Sequence, residues 1–272
     1  MIKYSVILPV YNEEKVIVNC LESLAKQTVA KDTEIIVVDD GSTDNSAKYA
    51  AYRQNHLGPG AARNLGAKNA KGEILVFVDA DMEFAPDFIE KLTSPILASQ
   101  ELLLRDRILG TFSKEEYLLN KNKPLARYWN LNLGRQAEKM HPDNYPDKQN
   151  VFRAILKSEF EKAGGFDPKK GYTDDWSLSE KLGVMAQVAP SAVYYHHNPE
   201  TYSEVWVQAR WFGKNEFLTR NMIRKFYNLF RYCPILAIIK ITDPGFFVFR
   251  LVYNTAVFTS IFLSFFGESK NK

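Results

Sequence analysis

The chain has 272 residues, 46% hydrophobic and 25% charged, with 14 Gly, 12 Pro and 2 Cys. That composition excludes a disordered, collagen-like or disulfide-scaffold chain, and the negative mean hydropathy excludes a protein built mainly of spanning helices. The formal charge of +3 averages two unlike parts: residues 1–204 carry 25 Lys+Arg against 29 Asp+Glu, whereas residues 205–272 carry 10 against 3.

At the N-terminus, Tyr4–Leu8 is apolar and β-branched and reads as a buried strand stopped by Pro9. Neither a basic leader region nor a small-residue cleavage site precedes it, so the catalytic part is expected in the cytoplasm. A helix is predicted from about Glu13, with Val16, Cys20, Leu21 and Leu24 at helical spacing. A second apolar run, 34–38, ends in Asp39 and Asp40, and a third, 74–78, ends in Asp79-Ala80-Asp81. Between them a helix starts near Gly60. Strands alternating with helices predict a parallel sheet covered on both faces, with ligands beyond the carboxyl ends of the strands. Both strand ends deliver carboxylates there. Two carboxylates at i and i+2 suit a divalent cation shared with substrate phosphates, although Asp-Ala-Asp is also a common helix-capping sequence.

Gly58-Pro59-Gly60-Ala61-Ala62-Arg63 fails the dinucleotide fingerprint, because Arg63 stands where the third glycine belongs. A tight turn opening a helix, with Arg63 available to an anion, fits better. Further on, Trp176, Leu178 and Leu182 predict a helix starting at Asp174-Asp175, one of which serves as its N-cap. A carboxylate placed there can also accept a hydroxyl proton. His196 and His197 are adjacent, so on a strand at most one faces the site.

Pro9-Val10-Tyr11-Asn12-Glu13, Val38-Asp39-Asp40-Gly41-Ser42-Thr43-Asp44, Gly60-Ala61-Ala62-Arg63-Asn64 and Asp79-Ala80-Asp81 together resemble the successive motifs of family 2 glycosyltransferases. The resemblance covers about residues 3–213. It implies an α/β, GT-A-type Rossmann-like mostly parallel sheet with helices on both faces, and inverting transfer from a nucleotide-diphosphate sugar. It assigns Pro9, Tyr11, Glu13 and Asp40 to the nucleoside, with Asp79 facing ribose and diphosphate. Asp81 holds Mn2+ or Mg2+. Asp174-Asp175 resembles the family's Glu-Asp motif, which makes Asp175 the catalytic base. The resemblance also implies a histidine near the diphosphate or metal, a few residues before a Pro and upstream of an aromatic-Gly pair; Trp211-Phe212-Gly213 supplies that pair, and spacing to Pro199 favours His196 over His197. Only 13 residues separate Asp44 from Gly58, so residues 49–53 must supply a shortened helix and strand.

Beyond residue 205 the pattern is basic and aromatic. Leu218, Met222, Phe226 and Leu229 fall on one face of a helix predicted over 205–232, with Arg220, Arg224 and Arg231 about 200° away. Residues 245–266 contain Arg250 as their single charge, long enough for a bilayer span, a re-entrant hairpin or an interfacial helix pair. The expected organisation is a catalytic domain, 1–204, and membrane-associating amphipathic and hydrophobic helices, 205–272, attached to the cytoplasmic face. Residues 105–150 carry no readable motif and suit an acceptor-facing lid. Expected partners are the sugar donor, a lipid-linked or glycan acceptor and a membrane surface, with no nucleic acid. The competing readings are a silent nucleotide-sugar-binding scaffold and a sugar-phosphate nucleotidyltransferase.

Overall fold

The computed structural model describes residues 2–101, 107–214, 221–238 and 243–266. The apolar runs become the centre of an eight-stranded sheet. In chain order its strands are β1 (Tyr4–Val10), β2 (Thr33–Asp39), β3 (Tyr52–Arg53), β4 (Ile74–Phe77), β6 (Gly110–Phe112), β8 (Lys148–Gln149), β9 (Ala154–Leu156) and β10 (Ala186–Val188). Their spatial order is β3-β2-β1-β4-β9-β6-β10-β8. The β1–β4 strands run parallel, as do β6 and β10, while β9 and β8 pair antiparallel with their neighbours. A small second sheet joins β5 (Met82–Phe84), β11 (Tyr194–His196) and β7 (Glu116–Leu118).

Alternation along β1 divides the core. Val6, Leu8 and Val10 point to one side with Cys20 and Leu24 of α1 (Ile17–Ala25) and Phe88, Ile89 and Leu92 of α3 (Phe88–Glu101). Ile7 points to the other, with Ala62 of α2 (Pro59–Asn69), Phe160 of α5 (Lys157–Lys162) and Leu178 of α6 (Ser177–Leu182). Helices thus cover both faces. Gly66 lets α2 approach β1 closely, since a Cβ there would collide with the Ile7 side chain.

Three local expectations are revised. Pro9 lies inside β1 rather than ending it, because β4 pairs only as far as Ile7. The Pro9 position faces that vacated side, so its missing N–H costs no ladder bond. The first helix starts at Ile17 instead of Glu13, because the backbone N–H groups of Asn12, Glu13 and Glu14 donate to Ser42, Ser46 and Asp44 side chains. The helical segment containing Asp174 and Asp175 starts earlier, as a 3-10 turn from Pro168 to Trp176 capped by Asp167, so neither aspartate is its N-cap. Of the shortened helix and strand expected from residues 49–53, the strand forms there as β3, whereas the helical turn lies earlier, at Asn45–Tyr49.

The chain divides into two compact units, 1–117 with 143–196 and 118–142 with 197–272. Relative to the expected 1–204 and 205–272, the second unit also takes in residues 118–142 and 197–204. Within it, α4 (Pro124–Asn132) and α7 (Tyr202–Gly213) join α8 (Met222–Arg231) and α9 (Pro244–Leu263). Trp129, Val205, Ala209, Phe249, Tyr253, Val257 and Ile261 form its core. The single helix expected over 205–232 is not continuous, because α7 stops at Gly213 and α8 begins at Met222. Leu218 and Arg220 lie outside the described residues.

Candidate active site

The carboxyl ends of β1, β2 and β4 carry the site within the first unit. Pro9 is buried in β1 just before the loop that presents Tyr11 and Glu13. Tyr11 is exposed, and its ring centroid lies 3.9 Å from that of His56. His56 is positioned by Asp40: its Nδ1 is 3.1 Å from Asp40 Oδ2. The Asp40 carboxylate is 3% exposed and also accepts from Gln54 Nε2 at 2.7 Å, the Leu57 N–H at 2.7 Å and the Gly58 N–H at 3.0 Å. It therefore builds the 54–58 loop as well as lining the end of β2. Asp39 does the same for the preceding turn, accepting from the Ser42 N–H and pairing with Arg53 Nε at 3.1 Å. Burial, together with Asp81, Asp44 and Asp79, pushes the Glu13 carboxyl up to about 8.

After β4, Asp79 is gripped on both oxygens. Arg63 Nη2 donates to Oδ1 at 2.6 Å and Arg153 Nη1 to Oδ2 at 2.9 Å. Burial would raise this carboxyl, but the two guanidiniums overcome it and hold Asp79 well below the usual carboxylate range. Arg63 is buried and also reaches Asp174 Oδ1 at 3.5 Å. The residue expected to be available to an anion is thus already engaged by the chain's own carboxylates. Arg153 is a component that sequence reasoning missed. A charged residue inside the apolar run 151–156 was the signal that could have found it.

Two buried polar atoms here have no hydrogen-bond partner among the described residues: Asp175 Oδ1 and Arg63 Nε. Three carboxylates, Asp79, Asp174 and Asp175, share two guanidiniums. Burial raises Asp175 above its ordinary value against the pull of Arg63 and Arg153, and Asp79 adds to the rise. Burial likewise pushes Asp174 up to about 6, with Arg63 opposing and Asp175 assisting. Gly60 is required beside it, since a Cβ there would overlap the Asp174 carboxylate.

A raised native pKa means that the folded chain holds a proton which the unfolded chain releases. The Asp174 contribution is fully present below about pH 4 and is lost as pH rises through about 6. Between pH 4 and 7, the unfolding free energy of the wild type should therefore fall by up to about 3 kcal/mol more than that of Asp174→Asn. Chemical denaturation across that range measures the difference. Parallel profiles would exclude a buried, proton-linked Asp174.

The third cluster links Asp81 and His196. His196 Nε2 is 3.0 Å from Asp81 Oδ2, and its Nδ1 is 2.7 Å from Glu116 Oε1. The Tyr194 hydroxyl donates to the other Glu116 oxygen at 2.9 Å. Burial alone would lower the His196 ring, but Asp81 and Glu116 raise it well above its ordinary value. His197 instead lies 3.8 Å from Glu200. Glu116 was not legible in advance, being in the stretch without a motif. Among the described residues no group of three or more His, Cys, Asp and Glu could hold a metal ion. Asp81 and His196 nevertheless lie side by side, and with the Nε2 proton displaced by a metal they would offer an oxygen and a nitrogen donor, Glu116 orienting the ring so that Nε2 faces Asp81. That donor chemistry fits Mn2+ or Mg2+ completed by a substrate's phosphate oxygens.

The fold and the carboxylate-rich strand ends define a GT-A-type α/β protein. A family model, Glycosyl transferase family 2, matches residues 5–164, more than half of the chain. The chain belongs to glycosyl transferase family 2. The poly(ribitol-phosphate) beta-N-acetylglucosaminyltransferase TarS of Staphylococcus aureus is 42% identical over 106 residues, 34% of this chain and 18% of that protein. A poly(ribitol-phosphate) beta-glucosyltransferase of Bacillus spizizenii is 46% identical over 93 residues, 29% and 15% respectively. The match thus spans less than a fifth of either relative. Among solved structures, S. aureus TarS 1–349 in complex with UDP superimposes with a TM-score of 0.54 at 15% identity, over 99% of this chain and 93% of that one. A Pyrobaculum calidifontis mannosyltransferase in complex with GDP-Man and Mn2+ gives 0.51 at 20% identity, over 96% and 73%. At these identities the likeness is one of fold.

Proposed function

We propose that the chain is an inverting glycosyltransferase that moves one sugar from a nucleotide-diphosphate sugar to a hydroxyl or phosphate acceptor. The acceptor is lipid-linked or part of a cell-surface glycan, a reading supported by the poly(ribitol-phosphate) in the names of its relatives. The observation that carries the proposal is Asp175: a buried carboxylate oxygen with no partner among the described residues, on a group whose affinity for a proton is raised. An unsatisfied acceptor of this kind is costly to keep in a fold, and a retained cost beside other charged groups is a mark of function.

In this reading Tyr11, Glu13 and Asp40 line the nucleoside end, with Pro9 fixing the start of their loop. Asp79, clamped by Arg63 and Arg153, faces the ribose and diphosphate. Asp81 and His196 would hold the divalent cation, which when bound supplies positive charge against the diphosphate. Asp175 Oδ1 accepts the proton of the acceptor oxygen as that oxygen attacks the anomeric carbon opposite the diphosphate. The carbon–oxygen bond to the diphosphate breaks in the same displacement. The lysine- and arginine-rich second unit attaches the chain to the cytoplasmic face of a membrane.

The test is a panel of uridine, guanosine and thymidine diphosphate sugars with and without Mn2+ or Mg2+. One donor is expected to release its nucleoside diphosphate in a metal-stimulated reaction and to raise the melting temperature. If no donor does either, the proposal fails.

A further inference from the structure

The second unit contains a helix whose polarity is inverted. In α8 the inward stripe is Lys225, Leu229 and Tyr232, and Leu229 and Tyr232 pack on the unit's core. Lys225 is 6% exposed, donates from Nζ to the Ser264 carbonyl at 2.8 Å and lies 5.6 Å from the Phe265 ring. The outward stripe is Ile223, Phe226, Tyr227 and Phe230, spaced i, i+3, i+4, i+7, the pattern that usually seeks a core. Their exposures are 82%, 59%, 63% and 72%, and Ile235, just beyond the helix, is also 72% exposed. The face expected from sequence, Met222, Phe226 and Leu229, is thereby split, because burying Lys225 rotates Leu229 inward and Phe226 outward.

The charge around this stripe is one-sided. Residues 221–238 contain Arg224, Lys225 and Arg231 and no Asp or Glu, and both arginines are exposed. An apolar, aromatic stripe flanked by guanidiniums complements an anionic lipid headgroup layer. A second copy of the same face would oppose arginine to arginine.

One helix in the described residues, α9, is long and apolar enough to cross a membrane, with 39% of its apolar window buried within the structure. Its inner side carries Asn254, Ser260 and Ser264 against the unit's own helices. The Ser260 hydroxyl donates to the Arg210 carbonyl at 2.9 Å, and Gly213 of α7 lets the two helices approach closely. Crossing a bilayer would draw Arg210 and the rest of α7 into hydrocarbon with it.

We propose that the chain docks in the plane of an anionic bilayer surface through the Ile223/Phe226/Tyr227/Phe230/Ile235 face, while α9 stays packed in its own unit and does not cross. This deepens the membrane-attachment reading above and rests on it. The test uses the full chain, extruded phosphatidylcholine vesicles with and without a quarter phosphatidylglycerol, and the double variant Ile223→Glu/Phe230→Glu. The wild type should float with the anionic vesicles alone, lose binding as salt rises and be released from cell membranes by alkaline carbonate. The double variant should bind at least about tenfold more weakly, with its melting temperature and donor hydrolysis unchanged. Arg231→Glu should weaken anionic binding independently. Undiminished flotation of the double variant would overturn the proposal, and so would loss of a wild-type dimer in that variant. Retention after carbonate would transfer the anchor to α9 and leave attachment standing. A wild type that floats with neither vesicle would remove attachment itself, without bearing on sugar transfer.

Discussion

Asp175→Asn is expected to lower sugar transfer by about 10²–10⁴-fold, the usual contribution of a positioned general base, while the donor binds almost as before. The substitution preserves the shape of a buried side chain lying in the field of Arg63, Arg153 and Asp79, and removes its ability to take a proton. The loss should fall on kcat rather than on donor affinity, because nothing places Asp175 against the nucleoside. The pH profile adds a readout that a packing defect would not move. Burial raises Asp175, so the wild-type rate should decline as pH falls through a point raised above the ordinary aspartate value. The residual rate of the Asn variant should lack that limb. Single-turnover transfer with a radiolabelled donor, alongside equilibrium donor binding, separates the two effects. Wild-type turnover in Asp175→Asn would remove it from the mechanism.

The parts of the site legible in sequence are those whose chemistry is local. Short apolar runs ending in Asp39-Asp40 and Asp79-Ala80-Asp81 place carboxylates at the ends of parallel strands, because β4 follows β1 in register and both point the same way. The spacing around His196 selects the ring that meets Asp81 over the one that meets Glu200. What sequence leaves unread is pairing between distant residues. Arg153 reaches Asp79 because β9 pairs antiparallel with β4, a choice that no local pattern in residues 151–156 records. Glu116 reaches His196 only because β7 and β11 share the small sheet. Asp40 illustrates a third case. Its position was readable, but its donors at 54–58 depend on a turn geometry with Gly58 at positive φ. Helix α8 is a fourth, since its periodicity allows more than one apolar face and the Lys225–Ser264 contact decides which turns outward.

Arg153 carries the second large expected effect, on stability. Asp79 is satisfied by two separate guanidiniums, one per oxygen, so removing either leaves one oxygen of a partly buried carboxylate without its charged partner. Arg153→Met keeps most of the stem volume but should cost about 1–3 kcal/mol, the range for leaving a largely desolvated acceptor without its partner. That corresponds to a fall in melting temperature on the order of 5 °C for a unit of this size. Arg63 cannot make up the loss, because its own fork is shared between Asp79 and Asp174. The diagnostic comparison is Asp79→Asn combined with Arg153→Met. If the cost is the orphaned carboxylate, the double variant should recover a substantial part of the stability lost by Arg153→Met, since the charge left behind has been removed. If Arg153 contributes only by packing over the Tyr194 ring, 6.0 Å away, the double variant should be no more stable than the single one. Urea denaturation of the four species closes the cycle. A coupling near zero would show that the Asp79–Arg153 contact is geometric rather than energetic.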